Sequence, residues 1–463
     1  MRVLVAIAHH GTKNRAFLER MMDEFRSMDH DVHVVILSEA PKDLGEDVEV
    51  LVGMPSKDPW SLPFAHRPLF AERLEQYDLF VYSEDDTLIT ARHLDTFVEL
   101  SERLPEHYLP GFMRFEEFED GTRSYSTIHS FYRWLPDSIF QHDDLTFASF
   151  SNEHAACFAL TRSQLRLAIA SGGFLIEPHK GRYDMLVSAA TDPYTRCGFT
   201  KVLCLERMND LLVHHMPNVY LGRLGASPAV LDAQLDGVRR VASGERDTAQ
   251  LLEPEVRTAP PIWSKNCYGA VSDDLIRMAG GTGHRLLSVG ASTGDVEVAL
   301  ARSGAKVEAI PVDQIFRSVV ASRRIEVWEP HLTAPQDGSG KEAFDIATMI
   351  DVLQFTRDPV HALEQLRGHL HTGGRIIVGT PDHRRVAWLD RLRPHRHSRP
   401  LPSSWEEHGV HRTDPAIVRG WLTAAGFSHV RIRHRRGSSR DPVGRGGLAG
   451  FGIGTRLLIT ARA

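Results

Sequence analysis

The chain opens on a run that is apolar at nearly every position, Val3-Leu4-Val5-Ala6-Ile7, and then breaks into His9-His10-Gly11. A short unbroken apolar run bounded by turn signals reads as a strand buried on both faces. The pattern recurs at Asp31–Leu37, more briefly at Val48–Val52, and again at Leu79–Ser83. Between these runs, residues about 15–27 and Ala65–Gln76 read as helices. Strands alternating with helices predict a parallel, doubly wound sheet, whose ligands gather at the carboxyl ends of the strands. His9, His10 and the cluster Glu84-Asp85-Asp86 all fall at such ends.

Residues 105–225 are less regular and rich in aromatics and histidine, as expected of a substrate-shaping region rather than a separate domain. Ala229–Ala242 reads as a helix. The polar stretch that follows, Ser243–Pro261, carries Pro254, Pro260 and Pro261 and reads as a linker. The rhythm then restarts. Strands are expected at Leu286–Val289, Lys306–Ile310, Asp345–Ile350 and Arg375–Gly379, with helices at Asp295–Ser303 and Pro359–Leu370. The fold class expected is therefore α/β, with two doubly wound, Rossmann-like domains at 1–245 and 262–463 and a linker at 246–261. A length of 463 residues fits about two or three domains.

Composition narrows the function. Apolar residues make up 42% and charged residues 25%, the profile of an ordinary globular protein. A net charge of −6 gives no electrostatic case for a nucleic-acid partner. The four cysteines, Cys157, Cys197, Cys204 and Cys267, form no CxxC pair, which suits free thiols in a reducing, cytoplasmic setting. No run approaches the roughly 18 apolar residues needed to span a bilayer, so no transmembrane segment is expected.

The first candidate chemistry is Glu84-Asp85-Asp86. Alternate residues of a strand share a face, so Glu84 and Asp86 can point together where the strand opens into a loop. Two converging carboxylates repel unless a cation sits between them. Hard oxygen donors suit Mg²⁺ or Mn²⁺, often completed by substrate phosphates. A solvated acidic strand end is the plainer alternative.

The stretch Tyr77-Asp78-Leu79-Phe80-Val81-Tyr82-Ser83-Glu84-Asp85-Asp86 resembles a glycosyltransferase of the GT-A fold. The resemblance implies a nucleotide-sugar donor and an acidic-x-acidic motif holding Mn²⁺ or Mg²⁺ on its diphosphate. Glu84 and Asp86 fit that spacing, with Glu84 replacing the more usual first Asp. It implies a late histidine as a further ligand, for which His214 and His215 are the candidates. The first loop, with His9 and His10, would sit near the base and ribose. Asp184 is the preferred general base for an inverting transfer, with Glu177 and Asp192 in the same segment; retention would need no such base. The acceptor implied is a glycan, sugar-phosphate or lipid-linked glycan. A basic, Pro-interrupted stretch from Arg384 to Arg399 would suit an anionic one.

The second half carries Leu286-Leu287-Ser288-Val289-Gly290-Ala291-Ser292-Thr293-Gly294-Asp295, then Phe344–Phe355, then Leu370–Pro381. Their order and spacing resemble a class I, S-adenosylmethionine-dependent methyltransferase over about 280–435. Gly290 and Gly294 would let backbone approach the cofactor. Ser288 stands where the family has an acidic residue. Pro311 stands where an acid would hold the ribose, with Asp313 two residues on. Glu329 lies near the expected adenine position, Asp351 ends the next strand, and His383 is a candidate base. Two readings follow: an active enzyme with substituted contacts, or a fold retained as a glycan-binding scaffold. A nucleotidyltransferase is a further alternative for the first domain, but His9–Lys13 lacks the Gly-rich, basic phosphate loop it would need.

Overall fold

The computed structural model describes residues 1–126, 133–222, 225–252, 265–269, 271–333, 343–391, 405–435 and 456–463, and every structural statement below concerns these. The chain forms two compact units. The first comprises Met1–His129 and Ser138–Pro228, the second Ser130–Asp137 and Ala229–Ala463.

The first unit begins β1 (Arg2–Ala8), α1 (Arg15–Arg26), β2 (Asp31–Ser38), β3 (Glu49–Val52), α2 (His66–Glu72), β4 (Leu79–Glu84), β5 (Thr87–Leu88) and α3 (Ala91–Arg103). It continues β6 (Tyr108–Pro110), β7 (Met113–Glu117), β8 (Arg123–Ser126), β9 (Phe140–His142), β10 (Leu145–Ala148), β11 (Cys157–Thr161), α4 (Arg162–Ala170), α5 (Met185–Thr195), β12 (Thr200–Cys204), β13 (Leu212–His215) and β14 (Gly225–Ala226). The main sheet has the order β11-β4-β1-β2-β3. It is parallel except for β11, which runs antiparallel to β4. Val3 to Ile7 and Leu79 to Tyr82 are wholly buried, as expected of central strands covered on both faces. Helix α1 buries Leu18, Met21, Met22 and Phe25, a stripe at helical spacing.

Two departures from expectation have local causes. The helix expected over Ala65–Gln76 is shorter. A 3-10 helix, Pro59–Ala65, capped by Asp58 and containing Pro63, takes the chain into α2, which ends at Glu72. Besides β11, α4 and α5, the region 105–225 supplies short strands that, with β5, build two further sheets, β6-β12-β10-β9 and β14-β8-β7-β13-β5. Strands of two to five residues are too brief to declare a period of their own.

The second unit contains α6 (Pro228–Ala242), α7 (Asp273–Ala279), β15 (Arg285–Ala291), α8 (Asp295–Arg302), β16 (Lys306–Pro311), α9 (Gln314–Ser322), β17 (Glu326–Val327), β18 (Phe344–Ile350) and α10 (Pro359–Gly368). It ends with β19 (Leu370–Pro381), α11 (His383–Arg391), α12 (Trp405–His408), α13 (Pro415–Ala424), β20 (Ser428–Arg435) and β21 (Arg456–Arg462). Its sheet has the order β17-β16-β15-β18-β19-β21-β20. The first five are parallel and β21 is antiparallel to both neighbours. Strand order reverses between β15 and β18, which sets the ligand crevice at their carboxyl ends. Residues 246–252, expected in the linker, pack on this unit, and Leu252 is buried. The prolines of the expected linker lie outside the described residues, as does the basic stretch from residue 392 on.

Candidate functional site

In the first unit, parallel pairing of β1 with β4 sets Ala8 opposite Glu84, so the two strands end side by side. His9 leaves β1 and its Nδ1 lies 2.5 Å from Asp85 Oδ2. Asn14, just before α1, donates to Asp85 Oδ1 at 2.7 Å and to Asp86 Oδ2 at 3.3 Å. From the other side, antiparallel pairing of β13 with β5 sets His215 opposite Thr87. Its Nε2 comes within 3.5 Å of Asp86 Oδ2, while its Nδ1 lies 2.7 Å from Glu116 Oε1. Glu116 is held in turn by the Tyr220 amide at 2.8 Å.

The electrostatics of this corner are unbalanced. Glu84 Oε1 and Asp86 Oδ1 are buried with no hydrogen-bond partner. Burial, then repulsion from Asp86, pushes the Glu84 carboxyl up to about 8, against the pull of Arg114 and His215. Burial works against a charged His215, but its contacts with Asp86 and Glu116 outweigh it and raise its pKa. A buried oxygen without a partner costs on the order of 1–3 kcal/mol, more when charged, and calls for a proton or a cation. Among the described residues no group of three or more His, Cys, Asp or Glu could hold a metal ion by itself. The donors fit a hard cation only with ligands from outside the protein completing its shell.

The other residues singled out in this unit fall elsewhere. His214 points away from His215, as alternation along a strand requires. It stacks on Phe115 with ring centroids 5.0 Å apart and meets Asn218 at 3.1 Å. His10 is exposed. Asp184 caps α5, accepting from the Val187 amide at 3.0 Å. Asp192 is buried against Arg67. Sequence reasoning missed Asn14 and Glu116, which only the strand pairing brings in. It also missed a buried group before β11: the Tyr183 hydroxyl donates to Glu153 Oε2 at 2.6 Å, and Lys201 Nζ to the Glu153 carbonyl at 2.8 Å. Burial lowers Lys201 to about 8.

In the second unit the turn after β15 has Gly290 and Gly294 at φ +86° and +78°, which favour glycine. Ser288 donates to Glu297 Oε1 at 2.6 Å. The carboxylate missing from the strand is thus supplied, buried, from the first turn of α8. Asp313 is wholly buried and caps α9, Oδ1 accepting from the amides of Ile315 and Phe316. Its Oδ2 pairs with Arg133 Nη1 at 3.1 Å, itself 2% exposed. Pro311 contributes no carboxylate, so a ribose role for Asp313 would require displacing these partners. Glu329 is exposed and held by Gln314 and Arg317. Asp351 sits at φ +55° with Arg456 Nη1 2.5 Å from both oxygens. His383 is buried against Thr413, and burial lowers it to about 4, far from an exposed base. A Cβ at Gly290 would lie 2.2 Å from Val352 Cγ2 and one at Gly294 2.9 Å from Arg323 Cγ, so both glycines also answer to the protein's own packing. The ribose corner, in this arrangement, does not fit an adenosyl cofactor.

Residues 263–432 match a family model described as a methyltransferase domain. The ubiquinone biosynthesis O-methyltransferase of Aeromonas salmonicida (strain A449) is 25% identical over 112 residues, 23% of this chain and 47% of that protein. The chain thus spans about half the length of this curated relative. Among solved structures, an S-adenosylmethionine-dependent methyltransferase from Mesorhizobium loti is 18% identical, covering 43% of this chain and 100% of its own, with TM-score 0.33. The N-methyltransferase NodS from Bradyrhizobium japonicum WM9, solved with S-adenosyl-L-homocysteine, is 18% identical, covering 41% of this chain and 82% of its own, with TM-score 0.28. The family match begins at residue 263 and leaves the first unit untouched. Residues 263–432 are thus similar to a methyltransferase domain, built on a sheet whose strand order reverses between β15 and β18.

Proposed function

We propose that the protein is a methyltransferase that draws its methyl group from S-adenosylmethionine. The observation that carries this is the family match over 263–432, on a sheet whose order reverses between β15 and β18. When bound, the cofactor supplies an electrophilic methyl group. Of the residues expected to contact it, Gly290 and Gly294 shape the turn, Ser288 donates to Glu297 on α8, and Asp351 is held by Arg456. Calorimetric titration of the full chain with S-adenosyl-L-homocysteine tests this. Binding is expected; no binding at millimolar ligand by the wild type or by any folded variant overturns the reading.

A second reading is favoured by the partnerless oxygens of Glu84 and Asp86. In it the first unit is a glycosyltransferase of GT-A type. It would move a sugar from a nucleotide-sugar to a glycan, sugar-phosphate or lipid-linked acceptor, the same product then being methylated. Glu84 and Asp86, with His215 oriented by Glu116, would hold Mn²⁺ or Mg²⁺, which supplies Lewis-acid stabilisation of a diphosphate leaving group. Asp184 remains the proposed base. The test is thermal shift with nucleotide-sugars, with and without Mn²⁺, on wild type and Asp86→Asn. Relief of repulsion should raise the Tm of the metal-free variant by about 2–4 °C, for roughly 1 kcal/mol in a unit of this size. It should also abolish the response to Mn²⁺. A wild type indifferent to Mn²⁺ with every nucleotide-sugar sinks this reading.

A further inference from the structure

At the crevice of the methyltransferase domain the end of β16 is bonded to another part of the protein's own chain. In a doubly wound sheet the ligand lies beyond the strand ends near the reversal, and a residue after the second strand reaches the ribose. That corner here is the end of β16, and three sets of contacts close it. The Leu251 amide donates to the Val312 carbonyl at 2.8 Å, and Gln250 forms an antiparallel bridge with Asp313. Residues 249–252 thus lie as a strap along the strand end. The Leu251 side chain reaches the glycine turn, where a Cβ added at Gly290 would lie 3.8 Å from its Cδ2 and 2.2 Å from Val352 Cγ2. Finally, Arg133, from the separate segment Ser130–Asp137, pairs with Asp313 and donates to Gln250 Oε1 at 3.2 Å. Gln250 also donates to Asp137 Oδ2 at 2.8 Å.

We propose that residues 249–252 form an intramolecular strap that closes the adenosyl-cofactor crevice, latched by Arg133 and Asp313, and that the cofactor binds only when the strap lifts. The proposal rests on the methyltransferase reading. The strap holds the strand edge and the face of the glycine turn with hydrogen bonds and packing that an adenosyl group would have to replace. A ligand that binds only the open form has its apparent affinity reduced by the fraction open. Weakening the closed form should recover that loss.

Calorimetry with S-adenosyl-L-homocysteine on the full chain tests this, comparing wild type, Leu251→Ser, and Arg133→Gln combined with Asp313→Asn. The double variant removes both latch charges while Asn keeps the helix cap. The two variants attack different contacts, so a folding defect in one leaves the other to decide. The expected result is a Kd at least tenfold lower in a folded variant than in wild type. Amide exchange at Leu251 should also speed up in wild type when the ligand is added. Equal Kd values with unchanged Leu251 protection overturn the strap and leave the methyltransferase reading standing. No binding by wild type or by any folded variant at millimolar ligand overturns both.

Discussion

Several histidines of this protein are buried where a charge is expensive. Burial lowers both His93, at the start of α3, and His383, at the start of α11, to about 4. Each must shed its proton to fold in weak acid. The unfolded chain, with histidines near 6.5, binds more protons than the native one between pH 6.5 and 4, so stability rises with pH across that window. Over the full window each site is worth about 3 kcal/mol, at 1.36 kcal/mol per pKa unit. Urea midpoints measured at pH 7.5 and 5 should fall for both units. His93→Gln should flatten the dependence of the first unit alone. A midpoint unchanged between the two pH values would show that neither histidine is held neutral.

At the scale of elements, packing rather than periodicity decides most of what the sequence left open. Strands β1 and β4 and helix α1 were legible because each buries a long run with one period, and the acidic cluster at the end of β4 was legible with them. The choice between His214 and His215 was not, because it depends on the register in which β13 pairs with β5, between residues far apart in the chain. Asn14 and Glu116 were invisible for the same reason. The role suggested for Asp313 met a different obstacle: its capping of α9 is local, but its pairing with Arg133 bridges residues 180 apart in sequence. Helix α6 carries a testable case of packing against propensity. A Cβ at Gly237 would lie 2.7 Å from the Ile315 carbonyl oxygen, a backbone atom with little freedom to yield. Gly237→Ala gains up to about 1 kcal/mol in helix propensity and loses about 1–3 in overpacking. The expected outcome is a lower Tm. Gly420→Ala in α13, with nothing within 4 Å, should instead raise it. Matching shifts for the two would show that α6 is not seated on α9.

For the whole molecule, the division into units does not follow a single cut in the chain. The second unit draws on Ser130–Asp137 and on α6 as well as the residues that match the methyltransferase family. A fragment of residues 262–463 lacks α6, the strap and Arg133, and is expected to be poorly soluble. A fragment of residues 229–463 regains α6 and the strap but leaves Asp313 buried without its cation, a loss of ~3–5 kcal/mol. Asp313→Asn in that longer fragment should recover much of the loss, visible as a higher denaturant midpoint. If 262–463 alone matches the full chain in stability, the added segments are dispensable. Among the described residues no helix is long and apolar enough to cross a membrane.

The pairing of Arg133 with Asp313 also orders events in time. A ribosome adds about 5–20 residues per second, so the acid follows the arginine by roughly 10–35 s. The first unit, complete by Pro228, is finished long before Asp313 is made. Its chain must therefore hold a loop with a cationic side chain in reserve, for a partner still unsynthesised. Translation slowed within that interval would lengthen the wait, and the crevice cannot close before Asp313 has been made.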